Sequence, residues 1–173
     1  MTKSAAVQIL EARSEKEYAE VAQCMSEFLA WMRTRYAERI WIIERYFDQK
    51  AWDDELAALS QRYPPPAGAV LLATVDGQPA GCVMFHDLGD RICEMKRLFV
   101  KPQFQGLGLG RRLTVALLEL ARERNYLKMR LDTGPLQPEA VALYQSLRFT
   151  DIGWYHDYPE DLKQVMRYME REL

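Results

Sequence analysis

Three glycines at alternate positions, Gly106, Gly108 and Gly110, follow an extended apolar run that ends at Val100 and open an amphipathic stretch. Strand, glycine turn and helix together make a seat for a phosphate group. Glycine lets the backbone approach without a Cβ in the way, the free N–H groups of the helix start face the anion, and the helix dipole favours its charge. Upstream, Glu94 lies in the same extended run. Period-two alternation places Glu94, Lys96 and Leu98 on one strand face. A carboxylate among apolar strand residues has a raised pKa and so makes a better base. His86 and His156 are further candidates for moving protons.

The glycine turn alone is a weak signal. A dinucleotide-binding turn follows the first strand of a chain, with an acid about 20 residues further on. Here three strands and at least two helices come first. No Gly-Lys-Ser/Thr follows, which removes the P-loop reading.

The elements that position these residues read as follows. Ala6–Glu11 is a short strand. Ser14-Glu-Lys-Glu17 matches a capping box. Tyr18, Val21, Met25, Phe28, Met32, Tyr36, Ile40, Ile43 and Phe47 then recur at helical spacing, with no Gly or Pro over 14–62. Two or three helices are expected there, broken near 33–37 and near Asp53. A Pro-rich loop, Tyr63–Gly68, leads to strands at Ala69–Val75, Pro79–Asp87 and Arg91–Val100, joined by the hairpin signals Asp76-Gly77 and Leu88-Gly89-Asp90. After the glycine turn come a helix at Leu109–Arg124, a strand at Tyr126–Asp132 and a helix at Pro138–Leu147. Two final strands, Phe149–Trp154 and Gln164–Glu170, are expected to form a hairpin through His156–Asp161. The fold class is mixed α/β: a twisted, mostly antiparallel sheet of about seven strands with helices on both faces, in one domain over 3–173.

Totals narrow the function. Net charge is −2, so no whole-chain attraction to nucleic acid or to an anionic membrane follows. Residues 91–130 nevertheless hold ten Lys/Arg against three acids, a local excess of +7 that suits a compact anionic ligand. Cys24, Cys82 and Cys93 lack metal-ligand spacing and read as free thiols in a reducing cytosol, with no metal site. Met1–Leu10 lacks the apolar core of a signal peptide, and Ala67–Val75 is about half the length of a membrane span. The expected location is cytoplasmic.

Gln105-Gly-Leu-Gly108-Leu-Gly110 resembles the Arg/Gln-x-x-Gly-x-Gly/Ala signature of the GNAT superfamily of N-acetyltransferases. Cys93–Val100 resembles that family's fourth strand, and Gln137-Pro-Glu-Ala140-Val-Ala-Leu-Tyr144 its later Asn-x-x-Ala-x-x-Leu-Tyr helix. The resemblance implies acetyl-CoA as co-substrate. Its pyrophosphate would lie on Gln105, Gly106, Leu107, Gly108, Leu109 and Gly110, with Arg111 nearby. Its pantetheine arm would pair with Leu98, Phe99 and Val100 where the fourth strand splays from the fifth, and Gln137 would stand where the family often has an Asn touching that arm. The resemblance also implies direct attack by a primary amine of a small molecule or protein. Glu94 would be the base, directly or through water. A backbone N–H near Phe99 or Val100 would meet the oxyanion, and Tyr144 would protonate the leaving thiolate. One departure is Arg148, where the family usually has Gly.

The resemblance places the acceptor site on the early helices and the last strands, where Trp31, Arg33, Arg35, Tyr36, Arg39, Trp41 and Arg45, faced by Trp154, Tyr155, His156 and Tyr158, are the candidates; a competing reading of those residues, which the pattern favours, is an ordinary solvated amphipathic helix face. Exposed strands at the sheet end allow a homodimer. The competing reading is a sensor on the same fold that binds acyl-CoA without turnover.

Overall fold

The computed structural model describes residues 6–173. Residues 3–5 of the expected domain, and the first half of Met1–Leu10, lie outside the described residues. The chain begins with β1 (Val7–Glu11) and α1 (Glu15–Arg35). The capping box forms: Glu17 N–H donates to Ser14 Oγ at 3.3 Å, and Ser14 N–H donates to Glu17 Oε2 at 2.9 Å. Val21, Met25, Phe28, Met32 and Tyr36 turn inward, as the spacing requires.

The helical run breaks after Tyr36, as expected, and continues through a 3₁₀ turn into α2 (Ile40–Tyr46), α3 (Gln49–Ala57) and α4 (Leu59–Arg62). No break falls at Asp53. The second break lies at Phe47–Asp48, because the Asp48 carboxylate accepts from Ala51 N–H at 2.8 Å and caps α3 there. Asp53 sits inside that helix.

β2 (Ala69–Val75), β3 (Gln78–Gly89) and β4 (Ile92–Val100) form an antiparallel meander. β2 is buried along its whole length. Asp76 and Gly77 both take positive φ, 49° and 80°, as a two-residue hairpin turn demands. α5 (Leu109–Glu123) crosses to β5 (Lys128–Thr133), which runs parallel to β4. α6 (Pro138–Ser146) and β6 (Thr150–Ile152) follow.

The last expectation needs correction. α7 (Glu160–Val165) replaces the start of the expected final strand, and β7 spans Arg167–Glu172. Glu160 and Asp161 stand in the first turn of α7, where acids suit the helix dipole. The sheet order is β1-β2-β3-β4-β5-β7-β6, so β7 inserts between β5 and β6. One core lies between the sheet and α1–α4, the other between the sheet and α5–α6.

Two irregularities in β4 shape the site. Its ladder with β5 holds three pairs, ending at Glu94↔Arg130, after which the strands part. Its register with β3 slips between Met84↔Lys96 and Cys82↔Phe99, so Arg97 and Leu98 together oppose one residue. Arg97 sits at this bulge with φ 59°. Alternation therefore restarts: Glu94, Lys96, Arg97 and Phe99 serve the α1 side, while Leu98 and Val100 pack towards α5. Leu98 does not share a face with Glu94, contrary to simple period-two alternation.

Arg148 adopts φ 65°, the conformation a glycine takes without strain. Its charge also bears on Arg171, which burial, Arg122 and Arg148 push below the usual guanidinium range. Arg148→Gly should raise stability by about 1–2 kcal/mol. Thermal unfolding reads this directly; an unchanged or lower midpoint overturns it.

Candidate active site

Where β4 and β5 part, two clefts open side by side. The first is lined by Leu98, Phe99 and Val100 of β4, by Phe104, Gln105, Gly106 and Gly108 of the glycine turn, by Leu109 and Gly110 of α5, and by Trp31, Gln137, Glu139, Ala140 and Leu143. Gly106 and Gly108 take φ 82° and 69°, and Gly108 is the N-cap of α5. No side chain caps that helix, so its first N–H groups remain available to an anion. Nine of the eleven expected co-substrate residues thus share one groove. Leu107 is exposed instead, and Arg111 donates to Ser146 Oγ at 2.9 Å, outside the lining.

The second cleft lies on the α1 side. Phe28, Met32, Ile42, Ile43, Phe47 and Met166 give it an apolar belt. Tyr36, Tyr46, Lys96, Arg97, Asp132, Gln137 and Tyr144 add polar groups. Leu98 and Gln137 line both clefts, so the two meet there. Gln137 Oε1 accepts from Gly134 N–H at 3.2 Å and from the Tyr36 hydroxyl at 3.3 Å, which fixes the turn after β5.

Tyr144 is buried and is among the residues that line this cleft. Burial, with Asp132 nearby, pushes its pKa up, so the phenol keeps its proton.

A network of charges stands behind the second cleft. Glu94 is fully buried; three groups hydrogen-bond to it and Lys96 pairs with it as an ion. His156 Nε2 lies 2.5 Å from Oε1, the Tyr155 hydroxyl 2.8 Å and Lys96 Nζ 3.0 Å, while His86 Nε2 lies 2.7 Å from Oε2. Lys96 also reaches Asp132 Oδ1 at 3.4 Å. Asp132 accepts from the Tyr46 hydroxyl at 2.8 Å and the Tyr158 hydroxyl at 2.7 Å.

Burial alone would raise the Glu94 pKa, as the sequence suggested. The hydrogen bonds from His156 and His86 and the Lys96 charge outweigh it and hold the carboxyl far below the usual range. Burial would likewise lower Lys96, but Asp132 and Glu94 raise it and keep it charged. Glu94, Asp132 and His156 offer ligand atoms within 4.8 Å of one another. Lys96 already supplies the positive charge between the two carboxylates.

Comparison with known proteins decides the family. The profile of the Acetyltransferase (GNAT) family matches residues 26–149. The chain belongs to the GNAT family.

The GNAT chain is 41% identical over 108 residues to an uncharacterized N-acetyltransferase of Schizosaccharomyces pombe, covering 61% of this chain and 66% of that one. It spans 32% of a Dictyostelium discoideum relative and 53% of a Rattus norvegicus one. An acetyltransferase structure from Streptococcus agalactiae superposes with TM-score 0.75 at 18% identity, covering 96% of this chain and 98% of that one. An acetyltransferase from Salmonella typhimurium, solved with its cofactor acetyl-CoA, gives TM-score 0.68 at 21% identity, with 96% and 94% covered. At these identities the structural likeness is one of fold.

Against this GNAT frame, the expected acceptor residues divide. Tyr36 lines the second cleft and Trp31 the first. Arg33, Arg35 and Arg45 line neither: they bond Gln49, Glu139 and Asp161. Trp41 packs against the core, Arg39 lines neither cleft, and Trp154 is exposed under Lys163. Tyr155, His156 and Tyr158 do meet the site, through Glu94 and Asp132. Sequence reasoning missed Asp132, Tyr46 and Arg97. The period-two pattern of β5, with Met129, Leu131 and Thr133 buried, already set Asp132 on the opposite face. Its partners come from α2 and the segment before α7, which no local pattern connects to it.

The depressed Glu94 pKa has a consequence for stability. The unfolded carboxyl titrates near ~4.3, above its folded value. Its contribution is therefore complete above that pH and is lost as pH falls through the acid range towards the folded pKa. Glu94→Gln should cost about 3–5 kcal/mol at pH 7, because Lys96 loses a buried partner. The variant should also show a shallower fall in Tm between about pH 5 and pH 3. Parallel Tm curves for the two proteins would refute this role.

Proposed function

We propose that the protein is an acetyl-CoA-dependent N-acetyltransferase in which a primary amine attacks the thioester directly. The observation carrying this reading is the meeting of the two clefts at Leu98 and Gln137. A donor lying along the first would present its acyl carbon to an acceptor in the second.

In this reading the donor's pyrophosphate rests on the N–H groups of Gln105–Gly110 and the first turn of α5, with the Arg111 charge close by. The pantetheine arm runs beside Leu98, Phe99 and Val100, where β4 has no ladder partner on the β5 side. A backbone N–H near Phe99 or Val100 meets the oxyanion.

An acceptor ammonium in the second cleft passes one proton to Asp132, the carboxylate that lines it. The proton then leaves Asp132 for solvent; His156 Nε2, 4.0 Å from Asp132 Oδ2, already donates to Glu94 and does not take it. Glu94 serves as the anchor that orients His156 and Lys96, rather than as the atom that meets the amine. The neutral amine then adds to the carbonyl carbon, and the tetrahedral adduct breaks its C–S bond. Tyr144 gives its proton to the departing thiolate and regains one from the nitrogen. The products are the N-acetyl amide, CoA thiol and one released proton, which balances the reaction.

Acetyl-CoA should raise Tm, and at least one member of an amine panel should release free thiol from it. Tyr144→Phe should lower kcat by about 10²–10⁴-fold while leaving the acetyl-CoA-induced Tm shift intact. A Tm shift without thiol release from any amine would favour a non-catalytic sensor. Unchanged kcat in the Phe variant would remove Tyr144 from the chemistry.

A further inference from the structure

The second cleft presents charges of both signs to its contents. Lys96 and Arg97 line it from β4, and Asp132 lines it from β5. The carboxylates that balance the two cations do not line it. Glu94 is fully buried behind Lys96, and Glu55 is buried behind Arg97. Arg97 is rigidly held. Its Nε and Nη2 donate to the two Glu55 oxygens at 3.1 and 2.8 Å, and the Tyr63 hydroxyl holds Glu55 Oε1 at 2.5 Å. The guanidinium also lies over the Trp52 ring, 4.9 Å from its centroid, and over Phe47 at 5.1 Å. Its Nη1 has no acceptor among the described residues.

A ligand thus meets two cations and one anion in one cleft, with Lys96 Nζ 3.4 Å from Asp132 Oδ1. A simple amine can pair with Asp132 but leaves Arg97 Nη1 without an acceptor. A bare carboxylate can pair with Arg97 but is repelled by Asp132. A molecule carrying an ammonium and a carboxylate on one carbon offers a partner to each, since Asp132 and Arg97 line the same cleft. The apolar belt of Phe28, Met32, Ile43 and Phe47 is left for its side chain.

Building on the transferase reading above, we propose that the acceptor is a free α-amino acid with an apolar side chain, its amine on Asp132 and its carboxylate on Arg97. Arg97 is then the specificity-determining residue. Glu55 is a positioning residue that fixes the guanidinium and leaves one of its edges unpaired.

The test measures thiol release from saturating acetyl-CoA with three probe series: L-phenylalanine and L-methionine, their α-amides, and the corresponding amines lacking the carboxyl group. The free acids should exceed both other series by about tenfold or more in kcat/KM, because each loses a charge-assisted hydrogen bond. Arg97→Met alone would bury Glu55 unpaired and endanger folding. The double variant Arg97→Met with Glu55→Leu removes the pair together, and its folding is checked by its melting transition. In it the preference for the free acid should collapse towards one. Amides or decarboxylated amines turning over as well as the acids would overturn the proposal, the amides pointing to peptide N-termini. A preference that survives in the folded double variant would overturn the assignment to Arg97. Acetyl-CoA binding with no thiol release from any series would instead defeat the transferase reading on which this rests.

Discussion

Lys96 is the group on which the site depends. The β4–β5 ladder ends at Glu94↔Arg130, and continuing its register would bring Lys96 opposite Asp132. Backbone hydrogen bonds no longer join the strands there. Instead the Lys96 ammonium reaches Asp132 across the gap and Glu94 on its own strand, at 3.4 and 3.0 Å. A buried charge is costly unless it is paired and its remaining hydrogen-bonding capacity is filled. Lys96 meets that condition through two carboxylates and the Tyr46 hydroxyl. Each carboxylate meets it through imidazoles or phenols. The opening between the strands is therefore held at a set width by ion pairs and is not a defect in the sheet.

The bulge at Arg97 is the second constraint. Without it, Leu98 would stand on the face of Glu94 and Lys96, and Arg97 on the opposite face. One extra residue sends Leu98 to the donor groove and keeps Arg97 beside Lys96. Non-glycine residues at positive φ are strained, and Arg97 takes φ 59°. Two charge-assisted hydrogen bonds from its guanidinium to Glu55 and the packed rings of Phe47 and Trp52 offset that strain. Arg97 and Phe47 also line the second cleft, so the strained bulge and part of the cleft wall are supported together.

Legibility followed the range of the interactions. The meander, the glycine turn, α5 and the left-handed turn at Asp76-Gly77 depend on neighbours in sequence, and the pattern of residue types exposed them. The donor groove is similarly local, since most of its lining comes from 98–110 and 137–143. The acceptor side is not. Asp132 draws partners from residues 46, 96 and 158, and Arg97 draws its own from 47, 52 and 55. The many arginines of the early helices looked like acceptor contacts but are used in clasps. Arg35, for example, stacks on Trp31 and grips Glu139 and the Leu136 carbonyl. The Glu94 pKa failed for the same reason: burial is readable from an apolar strand, but four partners arriving from residues 86, 96, 155 and 156 are not.

Charge bookkeeping around Lys96 explains why this arrangement suits a reaction that sheds one proton. Glu94, Asp132 and Lys96 sum to −1 when both imidazoles are neutral. One added proton brings the cluster to zero, so accepting it does not build up charge in a buried place. Glu94 is saturated with donors and does not compete for that proton. Asp132 lines the cleft, and His156 stands between it, Glu94 and the exterior. In the proposed reaction the two carboxylates differ in access: Glu94 is fully buried and lines neither cleft, whereas Asp132 lines the second. On that reading Glu94, buried among its partners, acts through Lys96 and His156 and does not itself meet the amine.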